Sequence, residues 1–315
     1  MKLMFSQEWL DTASREDQGE LVASGPFSQT TEDSEYVALL INKFAVSSAA
    51  TEMVRRGWVT LNEKREKIPA ILKWFDVFFN QTPVLEGARL FRGSAKLTTL
   101  DVNAQLASFA WISHVANIAS QQSVTEFNVG NLHDKELGKL TSLSALPDGP
   151  MRAKDWMRRH GIRFIIEPSL PGMHLDGAAL KLVDGNPLIA LTLRYDRLDN
   201  FWFTVLHEVA HIKKHFIEQR HDVFLDDFEA TSTRDEIEAE ANAFARDAFI
   251  PRDIWRRSDA YRFRNKPAIL SLAKKLGIHP AIVAGRLRYE TNDYSMFTEL
   301  VSQGVAGNLL IKLGG

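Results

Sequence analysis

Residues 201–212 constrain the fold of this chain more than any other segment. Their sequence, FWFTVLHEVAHI, is apolar at nearly every position outside an HExxH motif formed by His207, Glu208 and His211. An α-helix that is apolar on nearly every face is buried on almost all sides. Two imidazoles and a carboxylate in such a helix are costly to bury unless a bound partner satisfies them.

Helical spacing indicates what that partner is. Positions i and i+4 lie one above the other, so His207 and His211 share a face of the helix, and a divalent ion between their nitrogens removes the cost of burial. Glu208 projects about 100° away, where it can reach an attacking water without ligating the ion. The alternative is a helix with surface histidines and a surface glutamate, and the apolar neighbours argue against it. We predict a metal on the histidines.

A third protein ligand is expected from the acidic helix DEIEAEANAFA, residues 235–245. Glu238 flanks the apolar stripe of this helix, and Asn242 lies one turn later, where it can accept a ring N–H from a ligand histidine. Glu236 and Glu240 compete with Glu238 for this role. Because a solvated acidic face is the usual meaning of such a run, spacing alone leaves the choice open.

Composition limits the other classes of function. The 315 residues are 45% hydrophobic and 25% charged, as in an ordinary globular protein of about two domains. The net charge of −2 gives no electrostatic case for a nucleic-acid or membrane-surface partner. The chain has no cysteine, which excludes disulfides, thiolate metal ligands and cysteine nucleophiles. The N-terminus lacks the apolar run of a signal peptide, and no apolar segment is long enough to span a bilayer, so we expect a cytoplasmic protein.

The run FWFTVLHEVAHIKKH, followed by EAEANAFARDAFIP, resembles the ImmA/IrrE family of metallopeptidases, the M78 group. The similarity extends through GIRFIIEP, LDGAA and NPLIALTLRYDRLDNFWF to AKKLGIHPAIVAGRLRYE, which covers residues 145–290. The resemblance implies a metallo-endopeptidase that holds zinc on His207, His211 and Glu238, and manganese stays open as the native metal. It favours Glu238 over its acidic neighbours and assigns Glu208 as the general base.

The resemblance also implies a protein substrate, a helix-turn-helix repressor or an antitoxin, cleaved in a stress response or in the regulation of a mobile element. Many relatives carry an N-terminal helix-turn-helix, but residues 1–50 show no such pattern. We therefore do not expect this chain to bind DNA or a membrane itself.

The expected fold class is α+β. It is mainly helical, with a small antiparallel sheet packed on the HExxH helix of a zincin-like domain. Residues 162–166 predict one strand, and residues 178–182 and 188–193 predict two more around the turn DGNP at 184–187. We predict four parts of the chain: a polar lead-in (1–34), a helical domain (35–140), the metallopeptidase domain (141–260) and a C-terminal helical segment (261–315).

Two questions stay open at the level of sequence. One is the donor that stabilises the oxyanion or contacts the substrate, for which the candidates are His174, Tyr195, His215 and His221. The other is function. A DNA-binding regulator is one alternative, because residues 272–283 resemble a helix-turn-helix and basic side chains lie in and after it: Lys274, Lys275, Arg286 and Arg288. This hypothesis requires the second helix to be exposed. A regulator or antitoxin-like interaction protein that retains a structural metal without proteolysis is the other.

Overall fold

The computed structural model describes residues 40–61, 66–81, 102–215, 223–224, 232–301, 304 and 306–308. The polar lead-in predicted for residues 1–34 lies outside the described residues. Contacts divide the chain into two compact units, one formed by residues 1–120 with 169–174 and the other by residues 121–168 with 175–315. None of the described helices is long and apolar enough to cross a membrane.

The described part of the first unit is helical. After a helical stretch at 40–45 it contains α1 (Ser48–Arg55), α2 (Lys67–Gln81) and α3 (Val102–Ser120). Phe44, Phe75 and Trp111 are fully buried. The Phe75 ring meets Phe44 edge-on at 5.7 Å and stacks on Phe109 at 6.2 Å. These aromatic contacts join the apolar faces of separate helices, which is the packing that helical spacing of apolar residues predicts.

The second unit contains a four-stranded sheet in the order β1-β3-β2-β4. Its strands are β1 (Arg163–Ile166), β2 (Gly177–Lys181), β3 (Pro187–Leu191) and β4 (Val223–Phe224). β2 runs antiparallel to β3 and to β4, but β1 runs parallel to β3. The prediction of an antiparallel sheet was therefore wrong for β1, and the sheet is mixed. The turn at 184–187 specifies how β2 pairs with β3, whereas no local signal specifies the direction of β1.

The turn between β2 and β3 has the form that its residues predict. Leu182 donates its backbone N–H to Asn186 O at 3.1 Å, and Gly185 N donates to Leu182 O at 2.9 Å. Gly185 adopts a φ of 84°, which a residue without Cβ reaches at low cost. The Asp184 carboxylate pairs with Arg163 at 2.6 Å and so ties the turn to β1. The hairpin therefore holds β2 in a defined register beside β3.

The second unit also contains the HExxH helix, α6 (Leu198–Ala210), which continues into a π-helical turn at His211–His215. The others are α4 (Asp134–Ser142), α5 (Gly149–Arg159), α7 (Ser232–Phe249), α8 (Arg252–Arg257), α9 (Asp259–Phe263), α10 (Lys266–Leu276) and α11 (Pro280–Thr291). α6 contacts β2 and β3, α7 and α11.

Burial of α6 on all sides fixes the motif in place. Phe201, Trp202, Val205 and Leu206 are at most 2% exposed. The Trp202 ring meets Phe201 edge-on at 5.2 Å and Phe249 at 6.4 Å. Each buried side chain of this size contributes about 1.5–3 kcal/mol. Because several elements hold α6, rotation or sliding of the HExxH residues would break many contacts at once.

The second helix of the helix-turn-helix alternative, α11, is largely buried. Its inward residues are Ala281, Ile282, Val283, Ala284, Leu287 and Arg288. Arg288 donates to the backbone carbonyl of Tyr294, so this guanidinium is engaged inside the protein. A recognition helix needs an exposed face that enters the major groove. The structure therefore gives no support to the DNA-binding alternative.

Candidate metal centre

His207, His211 and Glu238 converge where α6 lies against α7. The Nε2 atoms of the two histidines are 3.0 Å apart. Glu238 places Oε2 3.1 Å from His207 Nε2 and Oε1 3.4 Å from His211 Nε2. The histidines are almost wholly buried, and the Glu238 side chain is 22% exposed. Two ring nitrogens and one carboxylate thus face one point at the edge of the core.

Hydrogen bonds on the far side of each ring determine which nitrogen faces that point. His207 Nδ1 lies 3.2 Å from Asn242 Oδ1, an oxygen that can only accept, so Nδ1 carries the proton and Nε2 presents a lone pair. His211 Nδ1 lies 3.0 Å from His215 Nδ1, and His215 Nε2 lies 3.2 Å from Glu240 Oε2. Since the Glu240 carboxylate accepts, His215 donates from Nε2 and accepts at Nδ1 from His211 Nδ1–H. The His211 Nε2 atom is therefore also left with a lone pair.

This donor set fits a divalent cation. Two imidazole lone pairs and a carboxylate within 3.4 Å of one another repel unless a positive charge lies between them. Zinc holds nitrogen and oxygen ligands at about 2.0–2.1 Å in tetrahedral geometry, which places the ligand atoms about 3.3 Å apart. The observed separations of 3.0, 3.1 and 3.4 Å are close to that value. The three residues could hold a metal ion.

The pKa values of the residues at the centre also favour a bound cation. Burial raises the pKa of the Glu238 carboxyl, but contacts with the rings of His207 and His211 outweigh burial and hold that pKa well below its usual range. These rings lower the pKa of Glu238 only while they donate hydrogen bonds to it, and a bound cation takes over that role when the ring nitrogens present lone pairs. Burial lowers the pKa of the His211 imidazole, which favours the neutral ring. A bound cation supplies the positive charge that neutral imidazoles do not.

The acidic competitors of Glu238 lie elsewhere. Glu236 is exposed to solvent. Glu240 pairs with Lys214 at 2.5 Å and with His215 at 3.2 Å, and hydrogen bonds from these two groups lower the pKa of its carboxyl. The apolar stripe of α7, with Ile237 and Ala241 buried, rotates the helix so that Glu238 faces the histidines. Of the three carboxylates, Glu238 is the one that reaches both rings.

Glu208 lies beside the centre and is 1% exposed. Its carboxylate approaches the backbone of β2 at Gly177 so closely that a Cβ there would lie 2.7 Å from Glu208 Oε1 and 2.8 Å from Thr204 Cγ2. A glycine within a strand often marks such a close approach. Gly177 belongs to the LDGAA run of the sequence, and its position inside a strand is the signal that could have identified it as part of the site.

A cavity of about 470 Å³ opens next to the centre and is lined by His207, Glu238 and Asn242. Its other walls combine an apolar part with guanidinium, phenol and carboxylate groups, and include Phe203, Phe249, Ile282, Arg246, Tyr289, Tyr294, Asp176 and Asp199. Tyr289 and Tyr294 are exposed enough to meet a ligand. Sequence reasoning missed these residues because α11 and the segment after it are distant in sequence from the motif.

The described residues that sequence predicted to contact the substrate or the oxyanion are not among those that line this cavity. His215 is 4% exposed and contacts His211 rather than the cavity. Tyr195 is exposed, packs against Arg194 and Arg197 at 5.1 and 5.8 Å, and does not line the cavity. His174 is exposed in the segment 169–174, which belongs to the first unit. His221 lies outside the described residues.

Comparison with known proteins identifies the part of the chain that carries this centre. No curated protein matches the chain. Residues 157–288 match the family model Peptidase_M78, described as an IrrE N-terminal-like domain. The match contains β1, the hairpin, α6, α7 and most of α11, and hence the whole candidate metal centre. Residues 157–288 of this chain therefore belong to the peptidase M78 family, as an IrrE N-terminal-like domain.

Proposed function

We propose that this chain is a zinc-dependent endopeptidase, with His207, His211 and Glu238 as the metal ligands and Glu208 as the general base. The observation that carries the proposal is the convergence of two imidazole lone pairs and an ionised carboxylate within 3.4 Å. The match to a peptidase family over the same residues supports it independently. The alternative metal, manganese, prefers oxygen-rich ligand sets, so two imidazoles favour zinc.

The residues around the metal have distinct roles in peptide hydrolysis. When bound, zinc acts as a Lewis acid that lowers the pKa of water and polarises the scissile carbonyl. Glu208 takes the proton of the attacking water and passes it to the leaving amine. Its buried position against Gly177 keeps the carboxylate in one place, so little reorganisation accompanies proton transfer. Asn242 and His215 hold the two ligand rings in the required tautomers.

The oxyanion of the tetrahedral intermediate needs a donor in the cavity. Tyr289 and Tyr294 line the cavity and can donate from their phenol groups. They replace Tyr195 as the tyrosines we assign to this role. We further propose that the substrate is a protein, a helix-turn-helix repressor or an antitoxin, in a stress response or in mobile-element regulation. The resemblance of the motif-bearing segments to the ImmA/IrrE family supports this substrate class.

The zinc content of purified variants distinguishes the proposed metal ligands from the proposed general base. We expect elemental analysis to find about one zinc ion per purified chain for the unmodified protein and for Glu208→Gln. His207→Ala and Glu238→Ala lose the ion, because each removes one of three protein ligands. Cleavage of a candidate repressor is lost in all three variants. Circular dichroism of each variant controls for folding.

Two results would contradict parts of the proposal. A chain that binds no zinc after reconstitution removes the metallopeptidase assignment. A chain that binds zinc through these residues, yet cleaves no candidate repressor or antitoxin, supports the interaction protein with a structural metal instead. Failure to cleave a general substrate such as casein does not decide between them, because a cavity of about 470 Å³ can be selective for particular side chains.

A further inference from the structure

We infer that the substrate segment is apolar where it meets the metal centre and acidic next to it, and that a second, arginine-lined cavity binds the acidic part. This inference rests on the proposed peptidase function and extends it to substrate class. The second cavity has a volume of about 640 Å³. It lies within the second unit and is formed by α7, α8, α9 and α11.

Charge is strongly segregated along the chain. Residues 246–291 contain eleven lysines and arginines against four aspartates and glutamates, a net charge of +7. The whole chain has a net charge of −2, so the remaining residues carry −9. A basic segment within an acidic chain concentrates positive potential on one part of the surface.

Five arginines of this segment line the second cavity: Arg246, Arg252, Arg256, Arg264 and Arg286. Its acidic residues are Asp247 and Glu290. The two oxygens of Glu290 are engaged, since Oε1 accepts from Arg286 at 3.1 Å and Oε2 accepts from Trp255 Nε1 at 3.0 Å. The cavity therefore has an excess of three positive charges.

Three of these arginines have no acidic partner in the described part of the chain: Arg246, Arg252 and Arg264. By contrast, Arg286 packs over the Trp255 ring at 4.7 Å and donates to Ile250 O at 2.6 Å. Arg256 donates to the Tyr261 hydroxyl at 2.6 Å. Two arginines are thus built into the wall, and three guanidinium groups remain available to an anionic ligand.

The two cavities adjoin each other. Arg246, Arg286 and Tyr289 line both of them. An extended peptide with its scissile bond at the metal can therefore continue past these side chains into the arginine-lined cavity. The cavity that opens at the metal centre also has Phe203, Phe249 and other apolar residues in its wall, which fit an apolar side chain of that peptide.

An acidic peptide fits these observations better than a nucleic acid. The arginines surround a concavity next to the metal centre, and α11, the helix of the DNA-binding alternative, is largely buried. The acidic remainder of the chain repels a long polyanion but has less effect on a short segment. Carboxylates also match the planar guanidinium group, which binds them in a bidentate manner.

Peptide binding tests the inference on the full-length chain. The zinc-loaded Glu208→Gln variant is titrated into fluorescein-labelled peptides that carry a central pair of leucines, and anisotropy is recorded. Four glutamates precede the leucines in one peptide and follow them in another, and glutamines replace the glutamates in matched peptides. We expect one glutamate peptide to bind about tenfold more tightly than its glutamine counterpart, with a preference that weakens as salt increases.

Charge-matched variants locate the effect. Replacing Arg246, Arg252 and Arg264 by glutamine should remove the preference for glutamate. The control replaces Arg257, Lys274 and Lys275 by glutamine, which removes the same charge from exposed positions outside the cavity. This control should retain the preference, because the bulk charge of the segment changes equally in both variants.

Equal binding of glutamate and glutamine peptides, or equal loss of preference in both variants, would overturn the inference. So would a DNA duplex that binds more tightly than the peptides and loses affinity only in the cavity variant, since that identifies a phosphate-backbone site. Cleavage of the same peptides by the unmodified zinc-loaded chain separates the two proposals. Glutamate-selective binding without any cleavage supports the acidic-segment cavity, and cleavage of a candidate repressor by the zinc-loaded chain then decides the peptidase. Cleavage with equal kcat/KM for both peptides supports the peptidase and contradicts the acidic preference.

Discussion

The His215 ring contacts His211, one of the proposed zinc ligands, and replacement of His215 by alanine should weaken zinc binding without abolishing it. The His215 ring is 4% exposed and accepts at Nδ1, over 3.0 Å, the proton that His211 must carry when its Nε2 atom faces a metal. His215 in turn donates from Nε2 to Glu240 at 3.2 Å. Alanine removes this acceptor from the buried His211 N–H.

The magnitude follows from that loss. A buried donor left without an acceptor costs about 1–3 kcal/mol. Loss of an outer partner of a ligating histidine weakens metal binding about 10–100-fold, which corresponds to roughly 1.4–2.7 kcal/mol. The two ranges agree. We expect His215→Ala to fall within them, and Glu240→Gln to lose less, because an amide oxygen can still accept the Nε2 proton of His215.

Competition with a chromophoric chelator at fixed pH measures the zinc affinity directly, without dependence on peptidase activity. His215→Gln is an informative second variant, because its side-chain oxygen can accept from His211 and should restore part of the affinity. His160→Ala is a matched control. His160 is a partly buried histidine stacked on Trp156 at 3.8 Å, and its ring is not among the potential metal ligands.

Two outcomes would refute the reasoning. An affinity of His215→Ala within twofold of the unmodified chain would show that the contact does not orient His211. A loss as large as that of His211→Ala, with unchanged thermal stability, would make His215 a ligand in its own right. That result would require the π-helical turn at His211–His215 to rearrange, since the structure directs the His215 nitrogens toward His211 and Glu240.

Three further predictions concern other parts of the molecule. Gly177→Ala should retain zinc, but it should lose about 1–3 kcal/mol of unfolding free energy and most peptidase activity, because the new Cβ would lie 2.7 Å from Glu208 Oε1. Urea denaturation and peptide cleavage measure the two losses. Elemental analysis should find no zinc in Glu238→Gln and about one zinc ion in Glu236→Gln, which is at an exposed position on the same helix. Loss of zinc in Glu236→Gln alone would make Glu236 the ligand. Burial and a nearby guanidinium lower the pKa of His114 from 6.5 to about 4, so the folded first unit binds fewer protons than the unfolded chain, and its stability should fall as pH decreases from about 6.5 to 4. After allowance for solvent screening the loss should be about 1–2 kcal/mol, and urea denaturation of His114→Phe should show a correspondingly smaller pH dependence.

The pairing of His207 with His211 is predictable from sequence because it depends only on helical repeat and burial. Four residues along a helix bring two side chains to one face, and the apolar residues around them require that face to be inside. The same local logic predicts the β2–β3 hairpin from the DGNP turn. Both predictions need only contacts between residues close in the chain.

Prediction stops where residues distant in sequence decide the outcome. Helical spacing leaves Glu236, Glu238 and Glu240 as competitors, and only the rotation of α7, set by its packing on the core, turns Glu238 toward the histidines. The direction of β1 is also decided by residues that are distant in sequence. Its four residues are compatible with either orientation, and the path of the chain around β3 makes it parallel.

The π-helical turn marks a third kind of limit. The sequence predicts an uninterrupted α-helix from Asp199 or Asn200 to about Phe216, and on that prediction His215 is a candidate for substrate contact. The observed turn at His211–His215 instead places His215 behind a ligand, with its other nitrogen on Glu240. The Glu240 carboxylate comes from the next helix, so the role of His215 depends on a partner that helical spacing within α6 cannot reveal.

The division between local and distant contacts also separates the chemistry of the site from its selectivity. The proposed ligands and the proposed base lie within thirty-two positions of one another, on two helices that meet directly. The cavity walls, in contrast, combine residues of α6 and α7 with Arg286, Tyr289 and Tyr294, which lie about eighty positions after the motif. Substitutions on α11 can therefore change which peptide enters while the metal geometry stays intact. We expect selectivity to vary independently of zinc affinity, because α11 contacts the ligand-bearing helix through its buried face and presents other side chains to the cavity.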